Sequence, residues 1–299
     1  MIKFISYIFL LSFICYSKDV VLFDAKIIKI PFINDSIGGI PTCFPLESVP
    51  DEESVDAIYI DDEHNIYIKN YYYIKKKNLS QDITLFVKFN FEGKEAYRKK
   101  LNIKLYGPFK VYNNIIYAID DNGRNGATLY KIDENSGKML SANLLIQNNF
   151  DRCYFFDSLI IVPCYSKLNI KYTHLLIFGL DGKIRDTIKE NYSFSGVKLY
   201  NLFADNNKRF LGKIKTYLIS NVYNADKDEY VFYIENLDGK LIKSFSIPIY
   251  FLGKELYGTY YGSSYDFWKL TSKDICFLGR KDKFAQITII PIKNILGRK

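Results

Sequence analysis

The sequence predicts an all-β protein, a β-propeller of five four-stranded blades that an N-terminal strand closes into a ring. A hairpin motif that ends in Gly-Lys occurs four times, and the successive glycines are mostly about 45 residues apart. A period of this length is typical of propeller blades. Aromatic residues make up 17% of the chain, and such side chains suit a pleated, half-buried sheet surface. Six blades are the alternative, if residues 18–54 form a degenerate one.

The repeated motif is a strand of alternating apolar residues followed by a tight turn. Glycine suits this turn because its backbone reaches positive φ without strain. The four turns are Gly93-Lys94, Gly137-Lys138, Gly182-Lys183 and Gly239-Lys240. A more polar strand follows each turn and another hairpin precedes each motif strand, so each unit contains four antiparallel strands. Because one blade cannot bury both of its faces, the units must pack on one another.

Four clear blades are predicted, at residues 55–103, 109–147, 152–190 and 197–249. A fifth begins near residue 259, with strands over 275–278 and 286–292, but it lacks the Gly-Lys turn. Residues 20–32 resemble a motif strand followed by an outer strand. We therefore expect the first strand of the chain to pair with the last blade, which removes exposed sheet edges. An irregular β-sandwich or barrel is the rival fold.

Residues 1–17 predict a signal peptide, and residues 18–299 a single propeller domain. Lys3 supplies a positive charge, and an apolar run over 4–16, too short to span a bilayer stably, follows. The predicted cleavage follows Ser17, which places the mature chain in the periplasm or outside the cell, without an integral membrane span. The alternative is a lipid anchor at Cys15, although bulky Ile14 occupies the position where a lipobox has a small residue.

The formal net charge is +8, and the lysines are scattered apart from the run at 75–77. Nucleic-acid binding uses a continuous basic stripe, so we expect no nucleic-acid partner. We expect the protein to be a monomer.

Two cysteines are spaced for a possible disulfide. Cys153 and Cys164 flank a predicted hairpin turn near Asp157-Ser158, so they face each other or lie one diagonal apart, and this spacing is compatible with a bridge. The alternative is that all the cysteines of the mature chain are small buried residues.

The sequence indicates no catalytic residue, metal or cofactor. The two histidines, His64 and His174, fall on different predicted blades. Residues 224–235 imitate the oxygen spacing of a calcium loop, but Glu229 stands where such a loop needs glycine, so a solvated hairpin tip fits better. Nucleophile-elbow, phosphate-loop and dinucleotide-binding motifs do not occur.

The connectors between blades are rich in aromatic residues. In a propeller these connectors surround one mouth of the central channel, and aromatic side chains there offer flat, amphipathic surface to a sugar or peptide. The alternative is that they wedge between blades. The predicted ligand-binding residues are Tyr106, Tyr200, Tyr257, Tyr260 and Trp268.

The blade pattern resembles the NHL-like and related bacterial extracytoplasmic propellers. In those families a blade has an Ile-Tyr-x-Asp strand, an Asn-Ile-Tyr turn and a strand that ends in Asp-Gly-Lys, as in Ile58–Asp61, Asn65–Tyr67 and Asp181–Lys183 here. The resemblance covers most of residues 55–292 and implies architecture only.

By fold analogy we expect an exported envelope protein that binds a protein or glycan on one propeller face and does not catalyse a reaction. One alternative is an extracytoplasmic lyase or hydrolase with charged groups converging in the channel. Another is a surface-displayed lipoprotein adhesin. An aromatic, uncharged channel mouth would favour binding, and a cluster of charged residues would favour an enzyme.

Overall fold

The computed structural model describes residues 25–33, 40–41, 57–76, 79–121, 126–150, 153–165, 172–189, 209–255, 268–282 and 284–297. These residues form five sheets arranged as the blades of a propeller. The predicted all-β fold and its count of five blades are confirmed. No helix in these ranges is long and apolar enough to cross a membrane. The predicted signal peptide, with Cys15, lies outside the described residues.

Blades 1 to 4 each contain four strands, A to D, that follow one another in the chain and in the sheet. Two N-terminal strands precede them, β1 (Lys26–Ile33) and β2 (Ile40–Pro41). Blade 1 has β3 (Ala57–Ile60), β4 (Ile66–Lys76), β5 (Leu79–Phe89) and β6 (Glu95–Leu101). Blade 2 has β7 (Phe109–Tyr112), β8 (Ile115–Asp120), β9 (Ala127–Asp133) and β10 (Met139–Ile146). Blade 3 has β11 (Tyr154–Phe156), β12 (Leu159–Tyr165), β13 (Tyr172–Gly179) and β14 (Ile184–Lys189). Blade 4 has β15 (Arg209–Ile214), β16 (Tyr217–Asn224), β17 (Glu229–Asn236) and β18 (Leu241–Pro248).

Blade 5 is assembled from both ends of the chain. Its C-terminal elements are α1 (Ile249–Leu252), β19 (Lys254–Glu255), β20 (Trp268–Leu270), β21 (Asp274–Lys281), β22 (Phe284–Pro291) and α2 (Ile292–Leu296). Strand β1 pairs antiparallel with β22, from Lys26 opposite Ile289 to Pro31 opposite Phe284. The predicted closing strand is therefore confirmed, with β1 in the outer position of the blade.

The hydrophobic core lies between neighbouring blades. One cluster joins blades 4, 5 and 1 and includes Ile30 of β1, and three smaller clusters join blades 1 and 2, 2 and 3, and 3 and 4. Each blade thus buries its apolar faces against its neighbours, as the repeat pattern predicts.

The turns divide the propeller into two faces. Because the strands of a blade alternate in direction, the A–B and C–D turns lie on one face, which we call the turn face. The B–C turns and the connectors to the next blade lie on the other, the connector face. The four repeated glycines occupy C–D turns with φ between 72° and 81°, as predicted. Residues 224–229 form the hairpin between β16 and β17, which agrees with the predicted hairpin tip.

The possible disulfide is not formed, because Cys153 and Cys164 are free, buried thiols. Tyr154 of β11 lies opposite Ile161 of β12, and continuing that register places Cys153 opposite Val162. The two-residue turn thus makes the cysteines diagonal neighbours, roughly 7–8 Å apart, beyond the usual Cα separation of a disulfide. Burial raises the pKa of Cys164 to about 11, so its thiol stays protonated.

Candidate functional site at the turn-face mouth of the channel

A cavity of about 1090 Å³ occupies the turn-face mouth of the central channel. Its wall comes from the A strands and A–B turns of all five blades, residues 59–63, 108–114, 153–157, 210–213 and 268–272. Tyr67, Lys88 and Glu134 line one side of it. Ligand pockets in proteins usually hold roughly 300–1,000 Å³, so the cavity can accept a substantial part of a ligand.

Aromatic side chains from all five blades converge on this cavity. They are Tyr59, Tyr67, Phe109, Tyr112, Tyr154, Phe155, Phe156, Phe210 and Trp268. Tyr112 is half exposed, whereas Tyr59, Tyr154 and Phe155 are partly buried. The other five rings are buried between blades. The flat apolar surface open to a ligand therefore comes from these four residues of blades 1 to 3, and the tyrosine hydroxyls add polar edges to it.

The carboxylates of the blade 1 turn are held by groups of the protein itself. Asp61 accepts hydrogen bonds from the backbone N–H of Glu63 and of Asn65, both at 2.9 Å, and from the Asn65 side chain. Asp62 accepts a 2.6 Å hydrogen bond from the backbone N–H of Ser272 in blade 5. These carboxylates stabilise the turn and its contact with blade 5.

Glu134 of blade 2 is a buried carboxylate that inserts into blade 1. Its Oε1 atom accepts from Lys88 Nζ at 3.1 Å and from Tyr97 Oη at 3.2 Å. Tyr67 Oη lies 3.5 Å from the same atom and 3.3 Å from Asp61 Oδ2. Burial, followed by the charge of Glu134, raises the pKa of both tyrosines far above the ordinary value of 10.0. Both hydroxyls therefore remain protonated donors, and the cluster joins two blades.

We expect the free energy of unfolding to fall as the pH rises above about 10. A tyrosine whose pKa is higher in the folded than in the unfolded chain contributes stability that is complete below the unfolded pKa. That stability is lost as the pH rises toward the folded value, because the folded chain then binds more protons. Urea unfolding at about pH 8 and about pH 11 measures the loss, and Tyr97→Phe should reduce it.

Tyr250→Phe, which removes one hydroxyl at a tyrosine that is 67% exposed, is the matched control for this experiment. An identical loss of stability in wild type and Tyr97→Phe would show that Tyr97 does not contribute to it.

Further polar contacts cross the blade boundaries at the mouth. Lys110 of blade 2 donates to the carbonyl oxygen of Asp157 in blade 3 at 2.5 Å, and burial lowers its pKa, although Asp157 and Asp62 oppose the shift. His64 Nε2 of blade 1 lies 2.8 Å from Asp274 Oδ2 of blade 5. The mouth is thus fixed by contacts between blades, which makes the cavity largely preformed.

Only two of the predicted ligand-binding residues lie in the described part of the chain. Trp268 lines the cavity, but it is 1% exposed and packs against Phe277 and Tyr230, with ring centroids 4.4 and 5.2 Å away. Tyr106 lies in a connector, where Lys104 Nζ is 4.2 Å from its ring centroid, and it is not part of this cavity. Tyr200, Tyr257 and Tyr260 lie outside the described residues, so the aromatic mouth on the connector face stays a prediction.

The cavity-lining tyrosines of the inner strands are not among the ligand-binding residues predicted from the sequence. Tyr59, Tyr112 and Tyr154 all belong to A strands, the first strand of each predicted blade. The available signal was their place in the blade, because the innermost strand of every blade faces the channel.

The described residues contain no group of three or more His, Cys, Asp or Glu side chains placed to hold a metal ion. His174 lies in blade 3, where its Nδ1 is 2.9 Å from Thr173 Oγ1. The two histidines therefore belong to separate blades, as their sequence positions predict.

Comparison with known proteins finds only distant structural similarity. No family model and no curated protein matches the sequence. An uncharacterized protein from Listeria monocytogenes is 11% identical, with a TM-score of 0.40 over 82% of this chain and 80% of that one. A subtype N10 neuraminidase-like protein of A/little yellow-shouldered bat/Guatemala/060/2010 is 11% identical, with a TM-score of 0.35 and 76% of each chain covered. An apocarotenoid oxygenase from Synechocystis is 8% identical, with a TM-score of 0.33 over 67% of this chain and 63% of that one.

Fold and cavity together define the chain as a five-bladed β-propeller with a ligand-sized cavity at the turn-face mouth of its channel.

Proposed function

We propose that the protein is a non-catalytic binding protein of the cell envelope that holds a protein or glycan partner at the turn-face mouth of the channel. The observation that carries this proposal is that partly exposed aromatic side chains of blades 1, 2 and 3 line one cavity; they are Tyr59, Tyr112, Tyr154 and Phe155. Tyrosine rings stack on sugar faces or apolar side chains, and their hydroxyls supply hydrogen bonds at the ring edge.

The mouth contains a cluster of charged residues, which by itself would favour an enzyme, but three of its carboxylates are engaged within the protein. Asp61, Asp62 and Glu134 all accept hydrogen bonds from groups of the protein. Tyr67 and Tyr97 keep their protons because their pKa values are raised. A general acid or base must exchange a proton with its substrate, and these groups are instead committed to contacts within and between blades.

Lysines from three blades complete the binding surface. Lys110, Lys213 and Lys269 line the cavity on the A strands of blades 2, 4 and 5. A lysine ammonium has three donors and no acceptor, so these side chains suit the hydroxyl, carbonyl or carboxylate oxygens of a glycan or peptide.

The envelope location is part of this proposal and is supported by the N-terminal sequence. Residues 1–17 have the charge and apolar run of a signal peptide. Membership of the NHL-like group is proposed on the blade motifs alone. Lipidation at Cys15 would make the protein an anchored adhesin with the same binding face.

The cavity is tested by finding a ligand on glycan and peptide arrays and measuring its affinity by titration calorimetry. We expect Tyr112→Ala and Tyr154→Ala to weaken binding roughly tenfold each, because each removes an aromatic wall of the site. Tyr250→Ala is the matched control, since Tyr250 is 67% exposed in α1, away from the cavity. Unchanged affinity in both cavity variants, or an equal loss in the control, would refute the site.

Tyr257→Ala tests in the same experiment whether the ligand binds on the connector face instead of the turn face. Loss of binding in this variant alone would place the ligand at the aromatic mouth predicted from the connectors.

A further inference from the structure

Exposed apolar side chains are concentrated at the rim of the turn face. Among the described residues, seven of the twelve exposed large hydrophobic side chains lie in C–D turns or within the first residues of D strands. These seven, which we call the rim patches, are Ile27, Phe91, Met139, Leu140, Ile184, Leu241 and Ile242. Every blade contributes at least one of them, and their exposures range from 40% to 59%. Clusters of exposed apolar surface mark interaction sites.

An exposed lysine accompanies the rim patch of every blade. These lysines are Lys26, Lys94, Lys138, Lys183 and Lys240. Lys26 Nζ of blade 5 lies 4.4 Å from the ring centroid of Phe91 in blade 1, so the patches of these two blades meet. The rim of the turn face therefore repeats one combination of aliphatic or aromatic surface and cationic charge.

Acidic residues share these turns, and in blade 1 Glu92 forms an ion pair with Lys94 at 3.1 Å. The acids of blades 2 and 3 are instead held close to the backbone. Asp133 accepts hydrogen bonds from the backbone N–H and the hydroxyl of Ser136 at 2.7 and 2.6 Å. Asp181 accepts from the backbone N–H of Lys183 and from Arg185. Lysine side chains are longer and extend their charge beyond the apolar surface that they flank. The ammonium groups of Lys26, Lys138, Lys183 and Lys240 consequently extend beyond the rim patches of blades 5, 2, 3 and 4, and the whole chain has a net charge of +8.

We propose that the rim patches dock the turn face on an anionic phospholipid surface. This rests on the proposed function, because the mouth on that face then holds a protein or glycan that the membrane carries. Side chains spread over all five blades can be contacted at once only by a partner as broad as the face, such as a bilayer or a second copy of this chain. A second copy would bring lysine rims together and repel, whereas anionic headgroups attract each lysine. Apolar side chains flanked by lysines are also the combination that interfacial membrane binding uses.

Vesicle flotation with the mature chain tests the proposal. We expect binding to vesicles of phosphatidylglycerol and phosphatidylcholine, little binding to phosphatidylcholine alone, and weakening as salt is added. The triple variant Leu140→Thr, Ile184→Thr, Leu241→Thr should lower the partition coefficient roughly tenfold, because three apolar side chains leave the interface. Threonine keeps strand propensity, and circular dichroism verifies the fold.

The matched control carries Leu144→Thr, Tyr223→Thr and Tyr250→Thr, three side chains that are 47% to 67% exposed and lie outside the rim patches. It should bind vesicles like wild type. Absence of wild-type binding to anionic vesicles, or equal losses in the rim and control variants, would overturn the proposal. A concentration-dependent dimer in light scattering that the rim variant abolishes, without vesicle binding, would assign the surface to a second copy instead.

Discussion

Ile30→Ala is expected to lower the free energy of unfolding by about 3 kcal/mol, within the usual range for such truncations of buried isoleucine. Ile30 lies on the closing strand β1, is fully buried, and is opposite Ala285 of β22. Its side chain belongs to the core cluster that joins blades 4, 5 and 1. Truncation therefore leaves a cavity where the two ends of the chain close the ring. Urea unfolding followed by the fluorescence of Trp268, the one tryptophan of the sequence, measures the change.

Ile27→Ala is the matched control for this prediction. Ile27 lies on the same strand but is 44% exposed, so its truncation should cost less than about 1 kcal/mol. Equal losses at the two positions would show that β1 contributes no buried contact to ring closure. Retention of wild-type stability in Ile30→Ala would contradict the observed packing of β1.

The repeat made most of the fold predictable. Tight turns require glycine at positive φ, so Gly93, Gly137, Gly182 and Gly239 mark four blades by local chemistry alone. Closure could be predicted because the last blade lacks its outer strand and the N-terminus supplies one. The blade prediction depends on residues that are close together in the sequence. The closure prediction depends on one strand that is missing from the last copy of the repeated unit.

The candidate site was less predictable because it depends on which strand ends face the channel. The tyrosines of the connectors led to a predicted site on the connector face, whereas the observed cavity is lined by short A strands such as β3 and β11.

Contacts between blades could not be predicted from sequence patterns either. Glu134 and Tyr97 are 37 positions apart, and neither position differs from an ordinary turn or strand residue. The unformed disulfide has a similar cause, since turn length decides whether Cys153 and Cys164 are opposite or diagonal.

Lys69 is a charged residue in a buried stretch of strand. It lies on β4 and is 0% exposed. Its ammonium donates to the carbonyl oxygens of Leu105 and Gly107 at 2.6 and 2.7 Å. Both acceptors belong to the connector from blade 1 to blade 2, which Thr84 also holds through the carbonyl oxygen of Ile103 at 2.8 Å. A buried lysine thus fixes the path of the chain between these blades.

Lys69→Met should lower the free energy of unfolding by about 2–4 kcal/mol, because methionine fills similar space but leaves two buried carbonyl groups without their donor. Replacing both partners of a buried ion pair with apolar residues is often harmless. Here the partners of the ammonium are backbone carbonyl groups, which a substitution cannot remove. The exposed Lys138→Met is the control and should change stability by less than about 0.5 kcal/mol. If Lys69→Met unfolds at the same urea concentration as Lys138→Met, then the connector is held by its apolar contacts and by Thr84, and the ammonium contributes nothing to the junction of the two blades.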